Sequence, residues 1–303
     1  MPTDVGAIDL MMGTRAGAAA KRQYEYLRAG AKDAETRGMH MPAEYMFKDI
    51  PHRPDGDGDA EDVPQGSALL LPAMDRNGVA RAMLNVHDGA PEAIACVEEH
   101  PDRFFASHEI DPNRGMDGVR ALVEAHERWD VKAATCFPAG YVPQVPINDK
   151  KMYPFYAKCV ELDIPMCICA GVPGPRLPMA CQDVSLLDEV CYDFPELRLV
   201  TRHGCEPWTD LAVKLMLKWP GLHYSTSAFA PKHYPTDIID YANTRGADKI
   251  LYAGYFPMAL DLDRIFRELA DVPFRDEVWP KFLRDNAVRV FKLDDGGGES
   301  GPA

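Results

Sequence analysis

The sequence lacks the features that mark several large classes of protein. It has 33 Lys and Arg against 47 Asp and Glu, a formal net charge of −14, so no basic surplus is available to neutralise nucleic-acid phosphates. No apolar run approaches the roughly 20 residues that cross a bilayer, and the first residues do not show the basic and then apolar segments of a secretory signal. We therefore expect a cytoplasmic protein that binds neither nucleic acid nor membrane.

Motifs for disulfides, calcium and dinucleotides are also missing. None of the 8 cysteines forms a CxxC pair, and a chain of 303 residues does not need disulfides to fold, so free thiols are expected. The acidic stretch at residues 55–62 has no Glu at the spacing of an EF-hand, which favours a solvated loop. No GxGxxG follows a candidate strand, which disfavours an open dinucleotide-binding sheet.

Short apolar runs alternate along the chain with longer amphipathic segments, and this alternation is typical of parallel strands joined by helices. Strands are predicted at residues 7–11, 80–86, 104–109, 131–136, 165–170, 198–203, 222–226 and 249–253. Helices are predicted at residues 67–77, 91–100, 116–129, 150–162, 184–193, 207–219, 235–245, 262–270 and 275–291. Eight strand-plus-helix units predict an α/β protein with one (β/α)8 TIM barrel at residues 1–293. A doubly wound open sheet is the alternative.

Two segments depart from the regular alternation. About 65 residues separate the first strand from the second, a long loop insert that contains aromatic, Met and Pro residues. In a barrel such a loop lies on the active-site face, so it is either a lid or a passive surface excursion. The Gly-rich, acidic tail at residues 294–303 is expected to be disordered.

Segments spread over nearly the whole chain resemble the amidohydrolase-related family, which includes aminocarboxymuconate-semialdehyde decarboxylase and the resorcylate-type decarboxylases. The matching segments read IDLMM, AMDRNGVARAML, EEHPDRFFASHEIDPN, PMCICAG, LRLVTRHGCEPW, YAGYFPM and DNAVRVF. The resemblance implies a barrel and a substrate among carboxylated aromatic or dienoic acids and their lactones or amides. It also implies self-association, although the tryptophans of the segment 207–219 and Trp279 are anchors either for an interface or for the core.

Most of the metal ligands that the family carries are absent. The family's first strand reads Asp-x-His-x-His, in which side chains two residues apart face the same way and reach one zinc ion. The aligned residues here are Met11 and Gly13. The family's later ligands, two His and one Asp, align with Cys169, His203 and Tyr255, so His203 alone is retained.

This ligand set predicts no tightly bound catalytic metal and no other cofactor. A catalytic zinc site normally has three protein ligands, and one imidazole, one thiol and one phenol form a poor set. A zinc site rebuilt from His203, Cys169 and a third residue is the alternative.

His203 and Cys169 are the first two candidates for catalysis without a metal. His203 is either the general acid or base, since an imidazole titrates near neutrality, or a packing residue. Cys169 is either a nucleophile activated by His203 or a small apolar filler. Arg202, next to His203, is predicted to point to the opposite face of the strand if the strand still runs straight there.

Tyr255 and Glu206 complete the predicted catalytic set. Tyr255 either donates a hydrogen bond to a developing oxyanion or fills the space that the metal leaves. Glu206 precedes Pro207 at the predicted start of a helix, where a carboxylate either stabilises the helix dipole or partners His203.

Substrate-binding residues are predicted on the loops that follow the strands. A small-molecule substrate in an apolar mouth would contact Met11, Glu44, Phe47, Lys48, Phe137 and Arg176. Arg176 would anchor a carboxylate or phosphate, unless it is simply an exposed loop cation.

Three functions remain open from the sequence. The favoured one is a metal-independent hydrolase that acts on a carboxylated or acyl-activated small molecule, with His203 as acid and base. A decarboxylase of the same family, with a remnant or rebuilt zinc site, is the second. The third is a catalytically silent barrel that binds a small ligand or a partner subunit.

Overall fold

A computed structural model describes residues 1–15, 32–37, 64–258 and 260–294. Most of the predicted lid and residues 295–303 of the predicted tail lie outside the described residues. Within the described ranges, no helix has the length and apolar character needed to cross a membrane.

Eight parallel strands form one sheet whose order in space is their order in the chain, so the predicted (β/α)8 TIM barrel is confirmed. Buried apolar and small residues dominate the strands, as expected where both faces of a parallel sheet are covered. The strands are β1 (Ala7–Asp9), β2 (Val79–Asn85), β3 (Phe104–Glu109), β4 (Ala133–Cys136), β5 (Met166–Cys169), β6 (Leu199–Arg202), β7 (Leu222–Ser225) and β8 (Ile250–Leu251).

Helices connect the strands and cover the outside of the barrel. They are α1 (Ala34–Arg37), α2 (Ser67–Asn77), α3 (Pro91–Glu99), α4 (Met116–Trp129), α5 (Tyr153–Glu161), α6 (Leu187–Asp193), α7 (Thr209–Lys218), α8 (Thr236–Ala242), α9 (Leu262–Leu269) and α10 (Asn286–Phe291). Short 3₁₀ turns lie at Pro112–Arg114, Pro138–Gly140, Ala180–Gln182, Val184–Leu186 and Pro231–His233.

Several predicted helices are shorter than expected, among them the one that follows β6 and the last one. The predicted helix 207–219 begins only at Thr209, so Glu206 and Pro207 lie in the loop before it. The predicted helix 275–291 consists of a π-helical segment, Lys281–Asp285, followed by α10. In both cases the segment before the helix is part of a loop with contacts of its own, which propensity does not encode.

The interior of the barrel is filled by a small apolar cluster that α10 closes from below. Met83, Phe105, Cys167 and Val200 belong to this cluster together with Phe291 of α10. The rings of Phe105 and Phe291 meet edge to face, with their centroids 6.2 Å apart. Because α10 closes the amino ends of the strands, the carboxyl ends remain open to ligands.

The ends of the barrel meet through loop contacts rather than through a strand ladder. The backbone N–H of Gly13 donates to the carbonyl of Phe256 at 2.9 Å, and the N–H of Gly254 donates to Asp9 Oδ1 at 2.8 Å. A side chain at Gly254 would place its Cβ 2.5 Å from Asp9 Oδ2, so only glycine fits at this junction.

Candidate active site

A cavity of about 640 Å³ opens at the carboxyl ends of β1 to β4. Its lining includes the apolar side chains of Met12, Ile110 and Phe137 and the polar side chains of Asn85 and Glu109. Ligands of TIM-barrel proteins bind at this face, so the cavity is the first candidate for an active site.

A second, smaller recess of about 80 Å³ lies beside the floor of this cavity. The two spaces are adjacent, because four residues line both: Met12, Gly13, Asn85 and Glu109. Deeper in the recess the lining is formed by Met11, Met83, Arg202, Tyr255 and Met258. The recess therefore combines one fixed cation with methionine side chains and with the polar side chains of Ser107 and Thr135.

Strand alternation places Glu109 and Asn85 at this floor. Phe105 belongs to the interior cluster, and residues on one strand alternate between faces, so Ser107 and Glu109 also point inward. By the same rule Asn85 follows the inward-facing Met83 on β2. The sequence analysis missed both residues, although a polar residue at the carboxyl end of a barrel strand is the signal that identifies them.

Glu109 is the ionisable carboxyl of the floor. Its side chain is exposed to the cavity, yet the surrounding protein displaces much of the bulk water. Desolvation raises the pKa of Glu109 above its ordinary value, Arg202 opposes this shift, and Asp111 adds to it. A carboxyl with a raised pKa keeps its proton to higher pH and is better suited to act as a general acid.

Arg202 points into the recess, so its predicted outward orientation is wrong. Val200, two residues earlier on β6, faces the interior, and Arg202 shares its side of the strand. The guanidinium is only 9% exposed and donates from Nη2 to the Met11 sulfur. Burial lowers the pKa of Arg202, but Cys169, Cys167, Glu109 and Tyr255 raise it and prevail. Arg202 is therefore a permanent buried cation.

The Arg202 cation has no carboxylate partner within the part of the chain that the structure describes. No ion pair within 4.0 Å includes it, and its Nε is buried without a hydrogen-bond partner. Asn85 Oδ1 is likewise buried and unpartnered. Unsatisfied buried polar groups are rare in native proteins, so these atoms call for a ligand or ordered water.

His203 lies just after β6, in a backbone conformation with φ of 63°. This left-handed turn takes its ring out of the strand alternation. Both its backbone N–H and its Nδ1 are within hydrogen-bond distance of the Ser227 hydroxyl, at 3.0 and 3.1 Å. Burial and the nearby charge of Arg202 lower the pKa of His203 to about 3, so the ring is neutral at physiological pH.

Cys169 ends β5 and faces the interior, because it lies on the same side of the strand as Cys167 of the interior cluster. Desolvation raises the pKa of the Cys169 thiol to about 12 although Arg202 opposes the shift, so the thiol is neutral at physiological pH. Among the described residues, no hydrogen bond joins Cys169 to His203, whose own bonds go to Ser227. All 8 cysteines are free and buried.

Three other predicted residues lie around the recess or the cavity. Met11 and Tyr255 line the recess, and Phe137 lines the larger cavity. The Tyr255 ring meets the His203 ring edge to face, with centroids 5.4 Å apart. These positions agree with a substrate-facing role, which remains a prediction.

The remaining predicted residues are elsewhere. Arg176 is exposed on the loop after β5, where it forms an ion pair with Asp33 at 3.2 Å, and it lines neither space. Glu206 lies in the loop before α7, and its backbone carbonyl accepts a hydrogen bond from Val172 at 2.8 Å.

Glu44, Phe47 and Lys48 lie outside the described residues. Trp279 is buried in the core and is therefore not an interface anchor.

The described residues of the mouth do not fit a catalytic metal. In the described ranges, no three side chains among His, Cys, Asp and Glu converge in a way that could hold an ion. Of the positions aligned with family ligands, Met11 and Gly13 offer no anionic or imidazole donor, and Cys169 is a neutral thiol. The fixed charge of Arg202 further opposes a second cation.

Comparisons with known proteins agree with the fold. A family model for amidohydrolases matches residues 40–293, which is more than half of the chain. Among proteins with curated functions, none matches this sequence.

Solved structures similar to this chain share its fold at low identity. An uncharacterized TIM-barrel protein from Bordetella bronchiseptica has a TM-score of 0.69 and 18% identity, covering 94% of this chain and 98% of its own. The 5-carboxyvanillate decarboxylase from Sphingomonas paucimobilis has a TM-score of 0.65 and 13% identity, with coverages of 96% and 100%. The 5-carboxyvanillate decarboxylase from Novosphingobium aromaticivorans, complexed with manganese and a nitrobenzoic acid, has a TM-score of 0.65 and 15% identity, with coverages of 97% and 100%.

Proposed function

The chain belongs to the amidohydrolase family, and from this premise we propose that it is a decarboxylase acting on a small carboxylic acid in the barrel mouth. The observation that carries the proposal is Glu109, an ionisable carboxyl with a raised pKa on the floor of a 640 Å³ cavity. Family membership supports an enzyme, and the decarboxylases among the similar structures support this class of reaction.

The proposed reaction needs one proton at carbon. The bond between the substrate carbon and its carboxylate breaks, and CO₂ leaves. The electron pair that remains on carbon takes the proton of the Glu109 carboxyl, and water then reprotonates Glu109. General acid catalysis of this kind contributes about 10²- to 10⁴-fold to the rate.

The lining of the cavity supports an aromatic or unsaturated acid as substrate. Met12, Ile110 and Phe137 offer apolar contacts to a planar body, and the volume of about 640 Å³ is within the range of small-molecule sites. A sugar would leave these surfaces unmatched. The acid 5-carboxyvanillate is therefore a suitable first probe, since it is the named substrate of two of the similar structures.

Hydrolysis by Cys169 and His203 has less support from their surroundings. A thiol with a pKa of about 12 is a poor nucleophile at neutral pH, and His203 is bonded to Ser227. Metal-independent hydrolysis remains a prediction.

A silent binding barrel is a second candidate because of one observation. The recess at the floor of the mouth has a volume of only about 80 Å³, and its lining includes Met11, Met12, Met83, Met258 and Tyr255. Such a floor would accept a carboxylate without leaving room for further chemistry. Binding of acids without turnover is the result expected from this candidate.

The test uses the purified full chain with 5-carboxyvanillate in D₂O. The proposal predicts release of CO₂ and one deuterium at the carbon that lost it, detected by NMR. Glu109→Gln should lower kcat by about 10²- to 10⁴-fold, because an amide cannot donate the proton. The matched control is Glu124→Gln, since Glu124 is exposed on the helix α4 and lines neither the cavity nor the recess.

The control variant should keep the wild-type kcat, and the melting temperature of each variant reports whether it is folded. Equal activity of Glu109→Gln and wild type would refute the role of Glu109. If neither 5-carboxyvanillate nor a panel of hydroxybenzoates is turned over, the decarboxylase proposal fails.

A further inference from the structure

We infer that Arg202 takes the place of the family's catalytic metal and binds the carboxylate of an acid ligand directly in the recess. This inference rests on the proposed function for the identity of the ligand, but it concerns binding and not the proton transfer. It assigns the recess as a site for a planar oxyanion.

The position of Arg202 is the first observation that supports carboxylate binding. It lines the recess together with Met11, Gly13 and Tyr255, three positions that align with metal ligands of the family. Its Nη2 contacts the Met11 sulfur. The guanidinium therefore lies among the side chains that would otherwise converge on the ion.

The charge of Arg202 is the second observation that supports carboxylate binding. A buried cation is costly unless an anion or several acceptors accompany it. The protein atoms that the structure describes supply no carboxylate within 4.0 Å of Arg202 and leave its Nε unpartnered. Glu109 contributes only a longer-range charge. A ligand carboxylate in the recess would supply both the counter-charge and the acceptor oxygens.

The shape of the two spaces gives the orientation of the ligand. The recess of about 80 Å³ has room for a group of roughly a few heavy atoms, and it lies directly beside the cavity of about 640 Å³. A carboxylate in the recess leaves the body of the ligand in the cavity. Asn85 and Glu109 line both spaces, so they lie where the carboxylate meets the body.

The walls of the recess strengthen the charge pair. Arg202 is only 9% exposed, and Met83 and Met258 are among the side chains that line the recess with it, so the effective dielectric constant around it is lower than in water. The planar guanidinium also matches a carboxylate with two parallel hydrogen bonds. The same charge repels Mn²⁺ or Zn²⁺, so the inference predicts carboxylate binding without metal.

The test is isothermal titration of the chelator-treated full chain with sodium benzoate and, separately, with MnCl₂. Wild type should bind benzoate and should not bind Mn²⁺ at the mouth. Arg202→Gln should weaken benzoate binding about 10- to 100-fold, the effect of losing a charge-assisted hydrogen-bonded pair. The benzoate affinity of Arg202→Lys should lie between those of wild type and Arg202→Gln, because lysine keeps the charge but lacks the planar guanidinium.

The matched controls are Arg198→Gln and Arg198→Lys. Arg198 precedes the same strand at its opposite end, where it forms an ion pair with Asp163 at 2.7 Å. Both control variants should bind benzoate like wild type. The melting temperature of every variant, with and without benzoate, reports folding, and Arg202→Lys carries the comparison if Arg202→Gln does not fold.

Three results would overturn the inference. The first is that wild type does not bind benzoate. The second is wild-type benzoate affinity in Arg202→Gln, or in Arg202→Lys if Arg202→Gln does not fold, and the third is stoichiometric Mn²⁺ at the mouth. Failure of this inference is distinct from failure of the proposed function. Glu109-dependent decarboxylation with unchanged benzoate binding in the Arg202 variants would refute only the role of Arg202. Arg202-dependent binding without turnover of any acid would refute only the decarboxylase.

Discussion

At the scale of single residues, Asp9 is a buried carboxyl whose ionisation is unfavourable. Asp9 is fully buried, and its Oδ1 accepts hydrogen bonds from the backbone N–H groups of Met11 at 2.9 Å and Gly254 at 2.8 Å. Its Oδ2 has no hydrogen-bond partner in the described part of the chain. Desolvation raises the pKa of Asp9 from 3.8 to about 6, although the two backbone N–H groups oppose the shift.

This raised pKa makes stability depend on pH in a defined direction. The folded state holds the Asp9 proton more tightly than the unfolded state does, so the contribution is fully present below about pH 4 and is lost as pH rises through about 6. Asp9→Asn removes the charge and keeps an acceptor for Met11 and Gly254. Between pH 4 and 7, wild type should lose about 2 kcal/mol of unfolding free energy relative to the variant.

Urea denaturation of wild type and Asp9→Asn at pH 4, 5, 6 and 7 measures this difference. Tyr252 and Tyr234 are the titratable groups near Asp9, and neither ionises in this range because burial raises the pKa of both phenols. Asp4→Asn is the control, since Asp4 is exposed in the same segment. A constant difference between wild type and Asp9→Asn across the range would refute the argument.

The residues of the site were only partly predictable from the sequence. The resemblance located Met11 and Tyr255 at the mouth, and the structure places both in the recess. Arg202 was assigned the wrong face because His203 was taken as the inward residue of β6. Positive φ at a non-glycine residue such as His203 is not encoded in local sequence pattern, so the turn that redirects its ring was not foreseeable.

At the scale of elements, Gln182 joins the loops that follow β4 and β5. Its side-chain carbonyl accepts from the N–H of Ala139 at 3.1 Å, and its side-chain amide donates to the carbonyl of Gly171 at 3.0 Å. Gln182 is 2% exposed, so neither partner can turn to water instead. One side chain therefore sets the relative position of two loops at the mouth.

Replacing Gln182 by Leu should lower the free energy of unfolding by about 2–4 kcal/mol. The change keeps an apolar filler but leaves a buried N–H and a buried C=O without partners, each of which costs about 1–3 kcal/mol. Chemical denaturation at pH 7 measures the loss. Gln144→Leu is the comparison, because Gln144 bonds to Ala139 and Pro178 at a half-buried position where water can replace it. Equal losses in the two variants would contradict the assigned role.

Element positions were the most predictable part of the fold. Alternation of short apolar runs with amphipathic segments located all eight strands, because buried parallel strands and surface helices have different periods. The helix α7 was predicted to start at Pro207 but starts at Thr209. Proline is favoured at the first position of a helix, but it does not by itself start one. Here the segment from Gly204 to Trp208 first contacts the neighbouring loop after β5, as the hydrogen bond from Val172 to Glu206 shows.

At the scale of the whole molecule, a net charge of −14 has to coexist with the acidic ligand that we propose. The overall field repels an anion at long range, so any attraction has to come from a local cation in a site of low dielectric constant. Arg202 has this position, with its charge buried beneath the cavity and without a carboxylate partner in the described ranges. We propose that the barrel supplies the site and that Arg202 supplies the positive charge for the carboxylate.

The most direct measurement of this account is a crystal structure of the full chain grown with both sodium benzoate and MnCl₂. We expect the benzoate carboxylate in the recess, with its two oxygens within hydrogen-bond distance of the Arg202 guanidinium and its ring in the larger cavity. We also expect no anomalous manganese signal at the mouth. A manganese peak among Cys169, His203 and Tyr255, or a benzoate carboxylate directed away from Arg202, would contradict the account.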